Sequence, residues 1–192
     1  MDFDLVINNG TVIEPSQGIV TVANVGIKDG KIGAVTRATL TAKKIIDAGL
    51  QVVCPGFVDI HCHVDNYPYA GRCFVLQGVT TAIGGNCGIS PIPPDDFFRQ
   101  MMEQSFPIHQ GQLVGHSFTM REEVGATNNY KPASEQQIAR MVELAEQRLS
   151  QGGLGISFGL EYAPGSSYQE IIALFRAAGR KKSRFLSRVA IF

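Results

Sequence analysis

The sequence predicts an α/β protein in two parts, a small all-β subdomain over residues 1–54 and a series of parallel βα units over residues 55–192. Three observations carry this reading. Before Cys54 the apolar runs are short, punctuated by turn dipeptides, and show no helical period. After Cys54, strand-like runs alternate with amphipathic stretches, the order a parallel sheet requires. The amphipathic stretches also open on capping residues and close on glycine, as helices do.

Taken in order, Phe3 to Ile7 reads as a strand, and Asn9-Gly10 suits the positive φ values of a type I′ hairpin before Thr11 to Ile13. Val20 to Ile27 alternates loosely, Asp29-Gly30 gives a second hairpin signal, and Lys31 to Val35 follows. Lys44 to Asp47 and Gln51 to Val53 complete what reads as a small β-sandwich. Four strand-like runs come next, at 57–63, 78–83, 112–116 and 153–160. Among the helices, Asp95 is read as the cap of a segment through Phe97, Phe98, Met101 and Met102. Ser134-x-x-Gln137 is a capping box for a longer helix, with Ile138, Met141, Val142, Ala145 and Leu149 on one face and Gly152-Gly153 as its stop. Ser167-x-x-Glu170 opens another, with Ile171, Leu174 and Phe175 inward and Gly179 after it.

The chemistry concentrates in Cys54-Pro-Gly-Phe-Val-Asp-Ile-His-Cys-His63. Side chains alternate along a strand, so His61 and His63 share a face that Cys62 does not. Two imidazoles converging from one face suit a divalent metal, although two polar residues at a strand end is the plain alternative. Asp59 lies on the same face one step deeper, suited to a hydrogen-bonded acid behind the histidines, and Asp65 continues the parity. Cys87 follows Gly84 and Gly85 at the end of the next strand, where parallel strands deliver side chains to a common face. A thiolate there is a third, softer donor that favours zinc over magnesium, the alternative being a small buried cysteine. The glycine-rich run around it lacks a lysine and the spacing of a phosphate loop.

Composition excludes several classes. Lys plus Arg equals Asp plus Glu at 17 each, so no net field draws the chain to nucleic acid or anionic lipid. No apolar run approaches the ~18 residues of a membrane span, and the acidic start does not read as a signal peptide. Four cysteines without dense spacing fit a reducing cytoplasm.

Pro55-Gly-Phe-Val-Asp-Ile-His-Cys-His63 resembles the first barrel strand of the amidohydrolase superfamily. Gln77-Gly-Val-Thr-Thr-Ala-Ile-Gly-Gly-Asn-Cys-Gly88, Gly115-His-Ser-Phe-Thr-Met-Arg121 and Gly155-Ile-Ser-Phe-Gly-Leu-Glu-Tyr-Ala-Pro-Gly165 are similar to the second, third and fourth strand motifs of its D-aminoacylase (N-acyl-D-amino-acid deacylase) branch. The resemblance implies an N-terminal β-sandwich, completed by strands from the far end of the chain, and the first four or so βα units of a (β/α)₈ barrel. It implies a zinc centre on His61, His63 and Cys87, the cysteine standing where relatives use a modified lysine. Tyr162 is implied as a substrate contact, and His116 as a residue of the active side, behind the metal ligands or near substrate, with a satisfied core or loop histidine as the equal alternative. Arg121 reads as an ion-pair partner, and Glu161 has no assigned role.

A closed barrel needs ~250 residues, and only about 140 follow Cys54. The expected fifth strand would bring a further metal-binding histidine, yet His116 is the last in the chain, and Phe185-Leu-Ser reads as that strand's remnant. The chain is therefore expected to be a truncated or frame-disrupted form, with open strand edges and apolar faces prone to association. The implied activity is metal-dependent hydrolysis of the amide bond of an N-acyl-D-amino acid, a small-molecule substrate, although the general base is not in this chain. The alternatives are a noncatalytic remnant with weak metal binding, and a cyclic-amide hydrolase of the hydantoinase or dihydroorotase type.

Overall fold

A computed structural model describes residues 2–181 and the backbone strand at 185–186. Two compact units emerge, Met1–Gly56 and Phe57–Phe192. The first holds strands β1 (Phe3–Glu14), β2 (Ile19–Lys28), β3 (Lys31–Thr36), β4 (Ala42–Asp47) and β5 (Val52–Val53) in a single sheet of order β3-β2-β1-β4, with β5 beside the far half of β1. Instead of two facing sheets, the described residues supply one layer. Val20 and Ile32 each remain 69% exposed in consequence.

The Asn9-Gly10 hairpin is not formed. β1 runs straight through it, with a bulge between Ile7 and Gly10. Asn9 does take a positive φ of 58°, but tertiary partners use it differently. Asn24 Oδ1 accepts its backbone N–H, and Asp47 Oδ1 accepts from its Nδ2. The chain turns instead at 15–18, where Gly18 N–H donates to the Pro15 carbonyl. Asp29 and Gly30 make their turn as expected, both with positive φ (49° and 72°).

In the second unit the strands are parallel: β6 (Phe57–Asp59), β7 (Val79–Gly84), β8 (His109–Gln112), β9 (Val114–Gly115), β10 (Gly155–Ser157) and β11 (Phe185–Leu186). The ladders run β6-β7-β8 and β9-β10-β11. Leu113 joins them, donating its N–H to the Gly84 carbonyl, while Leu154 N–H donates to Gln112. Since β8 and β9 are one interrupted strand, β11 is a fifth position after the four strands counted in the sequence, and it falls on the Phe185-Leu-Ser segment read as the fifth strand's remnant. Apart from the backbone at 185–186, the tail after Lys181, including Ser187, lies outside the described residues.

Helices α1 (Pro68–Val75), α2 (Pro94–Glu103), α4 (Glu135–Ser150) and α5 (Tyr168–Arg180) follow successive strands, and a single π turn at His116–Met120 runs into the short α3 (Arg121–Glu123). α1 was not read from the sequence, because Tyr67 at its N-cap supplies no side-chain cap. α2 starts two residues early, with Pro93 as N-cap, so Asp95 is a first-turn acid favoured by the helix dipole. Met102 points to solvent at 81% exposure, while Phe97 and Met101 are buried. α5 runs through Gly179, and Phe175 stays 36% exposed while stacking on Phe158. The main core joins Val114, Ile156, Met141, Ala145 and Leu174, fastening α4 and α5 over β9 and β10.

The capping box at Ser134 forms in both directions: Ser134 Oγ accepts from Gln137 N–H, and Gln137 Oε1 accepts from Ser134 N–H. Ser134→Ala is expected to cost about 1 kcal/mol of stability, read as a lower urea midpoint with unchanged slope.

Candidate metal centre

β6 and β7 are parallel neighbours, with Asp59 beside Ala82, so both C-terminal ends open on the same edge. Regular pairing stops at Asp59, yet the alternation persists beyond it: Cys62 and Val64 are buried while His61 and His63 are exposed. Cys62 donates its thiol toward the Ile83 carbonyl at 3.6 Å. Burial pushes that thiol's pKa up, with the nearby Asp59 and Asp65 charges adding to the effect, so it stays protonated and faces away from the histidines. Asp59 Oδ1 accepts the His61 backbone N–H at 3.0 Å, holding the segment rather than joining the donors.

Past β7 the chain enters a tight turn, with Gly85, Cys87 and Gly88 all at positive φ (75°, 55° and 77°). Gly85 is required there, because a Cβ would lie 2.3 Å from the Leu113 carbonyl oxygen. Cys87 itself pays about 1–3 kcal/mol for that conformation, a cost its surroundings must offset. Asp65 supports the entry to the turn, its Oδ1 accepting from Gly85 N–H at 3.3 Å.

The outcome is convergence. Cys87 Sγ lies 3.5 Å from His61 Nε2 and 3.7 Å from His63 Nε2, and all three donors fall within 4.8 Å of one another. A tetrahedral zinc with Zn–N near 2.1 Å and Zn–S near 2.3 Å separates nitrogen and sulfur ligands by ~3.6 Å. The donors present therefore fit zinc by both spacing and softness. Among the described residues, no other group of three His, Cys, Asp or Glu side chains converges in this way.

His116 lies elsewhere. Its side chain is fully buried, with Nε2 2.8 Å from Glu170 Oε1 and Nδ1 3.1 Å from Ser117 Oγ. Arg121 Nη1 donates to the same Glu170 oxygen at 2.6 Å, and its Nη2 donates to the carbonyls of Lys131 and Asn128. Burial pushes the Glu170 carboxyl up, but its bonds to His116 and Arg121 and their charges outweigh this and hold it below the ordinary carboxylate range. His116 Nε2 thus ties the π turn to α5, while Nδ1 is engaged by Ser117 within the turn. Tyr162, in the loop after β10, is 47% exposed with its ring against Phe118. It adjoins the cysteine turn through Gly159, where a Cβ would sit 2.3 Å from the Cys87 carbonyl oxygen and 2.9 Å from the Tyr162 ring. Glu161 is exposed.

No protein-family model matches the chain. The D-aminoacylase of Alcaligenes xylosoxydans xylosoxydans is 32% identical over 203 residues, covering 91% of this chain and 42% of that protein. A crystal structure of D-aminoacylase aligns with TM-score 0.85 and 30% identity over 94% of this chain and 44% of its own. N-acyl-D-glutamate deacylase from Bordetella bronchiseptica, solved with zinc and a phosphonate mimic of the tetrahedral intermediate, aligns with TM-score 0.84 and 25% identity over 95% of this chain and 44% of its own. The chain thus spans about two-fifths of the length of the relatives it matches. The parallel βα array is thus that of D-aminoacylase, whose structure defines a subset of the amidohydrolases. Its homologues are D-aminoacylase and the N-acyl-D-glutamate and N-acyl-D-aspartate deacylases.

Proposed function

We propose that the chain carries one side of a metal-dependent amidohydrolase site, the activity of the whole being hydrolysis of the amide bond of an N-acyl-D-amino acid. The observation that supports this most is the approach of Cys87 Sγ to both imidazoles at zinc-like spacing. His61, His63 and Cys87 would hold the ion, and a bound zinc would polarise the substrate carbonyl and lower the pKa of water. The chain's own residues orient that centre: Asp59 fixes the His61 peptide, and Asp65 fixes the turn before Cys87. Tyr162 offers an exposed phenol beside the turn as the substrate contact. An acyclic N-acyl amino acid is better supported than a cyclic amide, because the D-aminoacylase match runs over 91% of the chain.

One observation favours a metal-binding but noncatalytic chain. No carboxylate joins the three donors among the described residues, so a proton for the leaving amine has no carrier in the cluster. Loss of a general base alone forfeits ~10²–10⁴ in rate. Zinc quantification paired with turnover of an N-acetyl-D-amino acid separates the readings. Stoichiometric zinc that His61→Ala abolishes is expected, and turnover at that stoichiometry would make the chain an enzyme in its own right. Protein that emerges metal-free from zinc loading would refute the site.

A further inference from the structure

Cys87 sits at φ 55° and ψ 24°, a conformation that its own turn does not enforce. What holds it comes from two strands away. Ser157, on β10 and fully buried, donates its hydroxyl to the Gly85 carbonyl and accepts the Gly88 N–H at 3.0 Å. Those two peptide groups bracket Asn86 and Cys87, so one hydroxyl spends its proton and a lone pair on fastening both ends of the turn. The turn is tied on its other side to the histidine segment. Asn86 Nδ2 donates to the Ile83 carbonyl at 2.6 Å and to the Cys62 carbonyl at 3.3 Å, and Cys62 stands between His61 and His63.

We propose that Ser157 and Asn86 are positioning residues for the metal centre: Ser157 fixes the backbone state that aims the Cys87 sulfur, and Asn86 fixes its register against the two imidazoles. The inference rests on the reading of His61, His63 and Cys87 as ligands. Other buried hydroxyls do different work. Ser90 Oγ accepts the Gly115 N–H at 2.7 Å and touches neither peptide group that brackets the cysteine. Deleting it removes a comparable buried hydrogen bond without releasing the turn, which makes Ser90→Ala the control for a merely structural role.

The test uses the 192-residue chain as parent, Ser157→Ala, Asn86→Ala and Ser90→Ala, with folding checked by circular dichroism. Cobalt(II) serves as the probe, read through its thiolate charge-transfer band and by competition with a chelator. Ser157→Ala and Asn86→Ala are expected to weaken cobalt binding by about 10–100-fold, the range for residues that orient metal ligands, with Ser90→Ala close to the parent. A second readout needs no metal. In the metal-free chain, the amide–Hα coupling and carbon shifts of Cys87 should report the left-handed conformation in the parent and in Ser90→Ala, and lose it in Ser157→Ala. If Ser157→Ala keeps both the cobalt affinity and the left-handed signature, the proposal is overturned. A parent that binds no cobalt defeats the ligand reading, while the shifts still decide whether Ser157 sets the Cys87 backbone. Should Ser157→Ala not fold, a well-folded Asn86→Ala with parental affinity overturns the proposal.

Discussion

Glu170→Ala is expected to destabilise the second unit by about 3–5 kcal/mol, the cost of leaving a buried charge without its partner. The magnitude follows from what remains behind. Arg121 is 1% exposed and His116 fully buried, and both direct a nitrogen at one oxygen of Glu170. With the carboxylate gone, the guanidinium keeps only neutral partners, the Lys131 and Asn128 carbonyls and a long contact to Ser166 Oγ. Glu170→Gln should fall between parent and alanine, because its amide oxygen can still accept a bond but carries no charge. Urea unfolding of the three proteins measures the series. A loss below about 1 kcal/mol for alanine would mean that the triad is not the fastening of α5 onto the π turn.

The same group gives the fold an acid limit. Its folded pKa lies below the unfolded one, so the unfolded state binds the proton more tightly. The stabilisation is therefore complete above the ordinary glutamate value of about 4.3 and is lost as pH falls through the depressed folded value. Stability measured between neutral pH and pH 3 should decline more steeply in the parent than in Glu170→Gln, which has nothing to titrate at this position.

That triad also shows where sequence reading stops. Ser167-x-x-Glu170 has the form of a capping box, and Ser167 does cap, its Oγ accepting from the Glu170 N–H. The glutamate side chain, however, turns inward to partners 54 and 49 residues away, which no local pattern encodes. His116 met the same limit, since a histidine at a strand end can face the site or the core, and only packing decides. The shared face of His61 and His63 was legible for the opposite reason. The parity of His61, Cys62 and His63 is a local property of extended chain, and it survives where strand pairing has ended. Asn9-Gly10 had the right dihedral tendency, but the partners Asn24 and Asp47 turned a hairpin signal into a bulge. Ser157 carried no signal at all, because its role depends on a turn that lies 69 residues upstream in the Gly88 contact.

Zinc should stabilise the parent far more than any variant lacking a donor. A ligand that binds only the folded state contributes RT ln(1 + [L]/Kd), about 2.7 kcal/mol at a hundred times Kd. Residues that merely orient metal ligands cost 10–100-fold in affinity, so removal of a direct donor should exceed about a hundredfold. At the zinc concentration that gives the parent its full effect, Cys87→Ser should then retain only about 0.4 kcal/mol, the value when [L] equals Kd. His61→Ala should behave alike, because each removes one corner of the same triangle. Zinc also binds unfolded chains through cysteine and histidine, which shrinks every shift, so the decisive comparison is between cysteines. Cys54 is exposed and outside the cluster, and Cys54→Ser, like Cys87→Ser, removes one thiol from the unfolded chain. Thermal unfolding with and without zinc should therefore show the parental shift in Cys54→Ser and its near loss in Cys87→Ser. Equal shifts in the two would remove the sulfur from the site and leave only a pair of imidazoles.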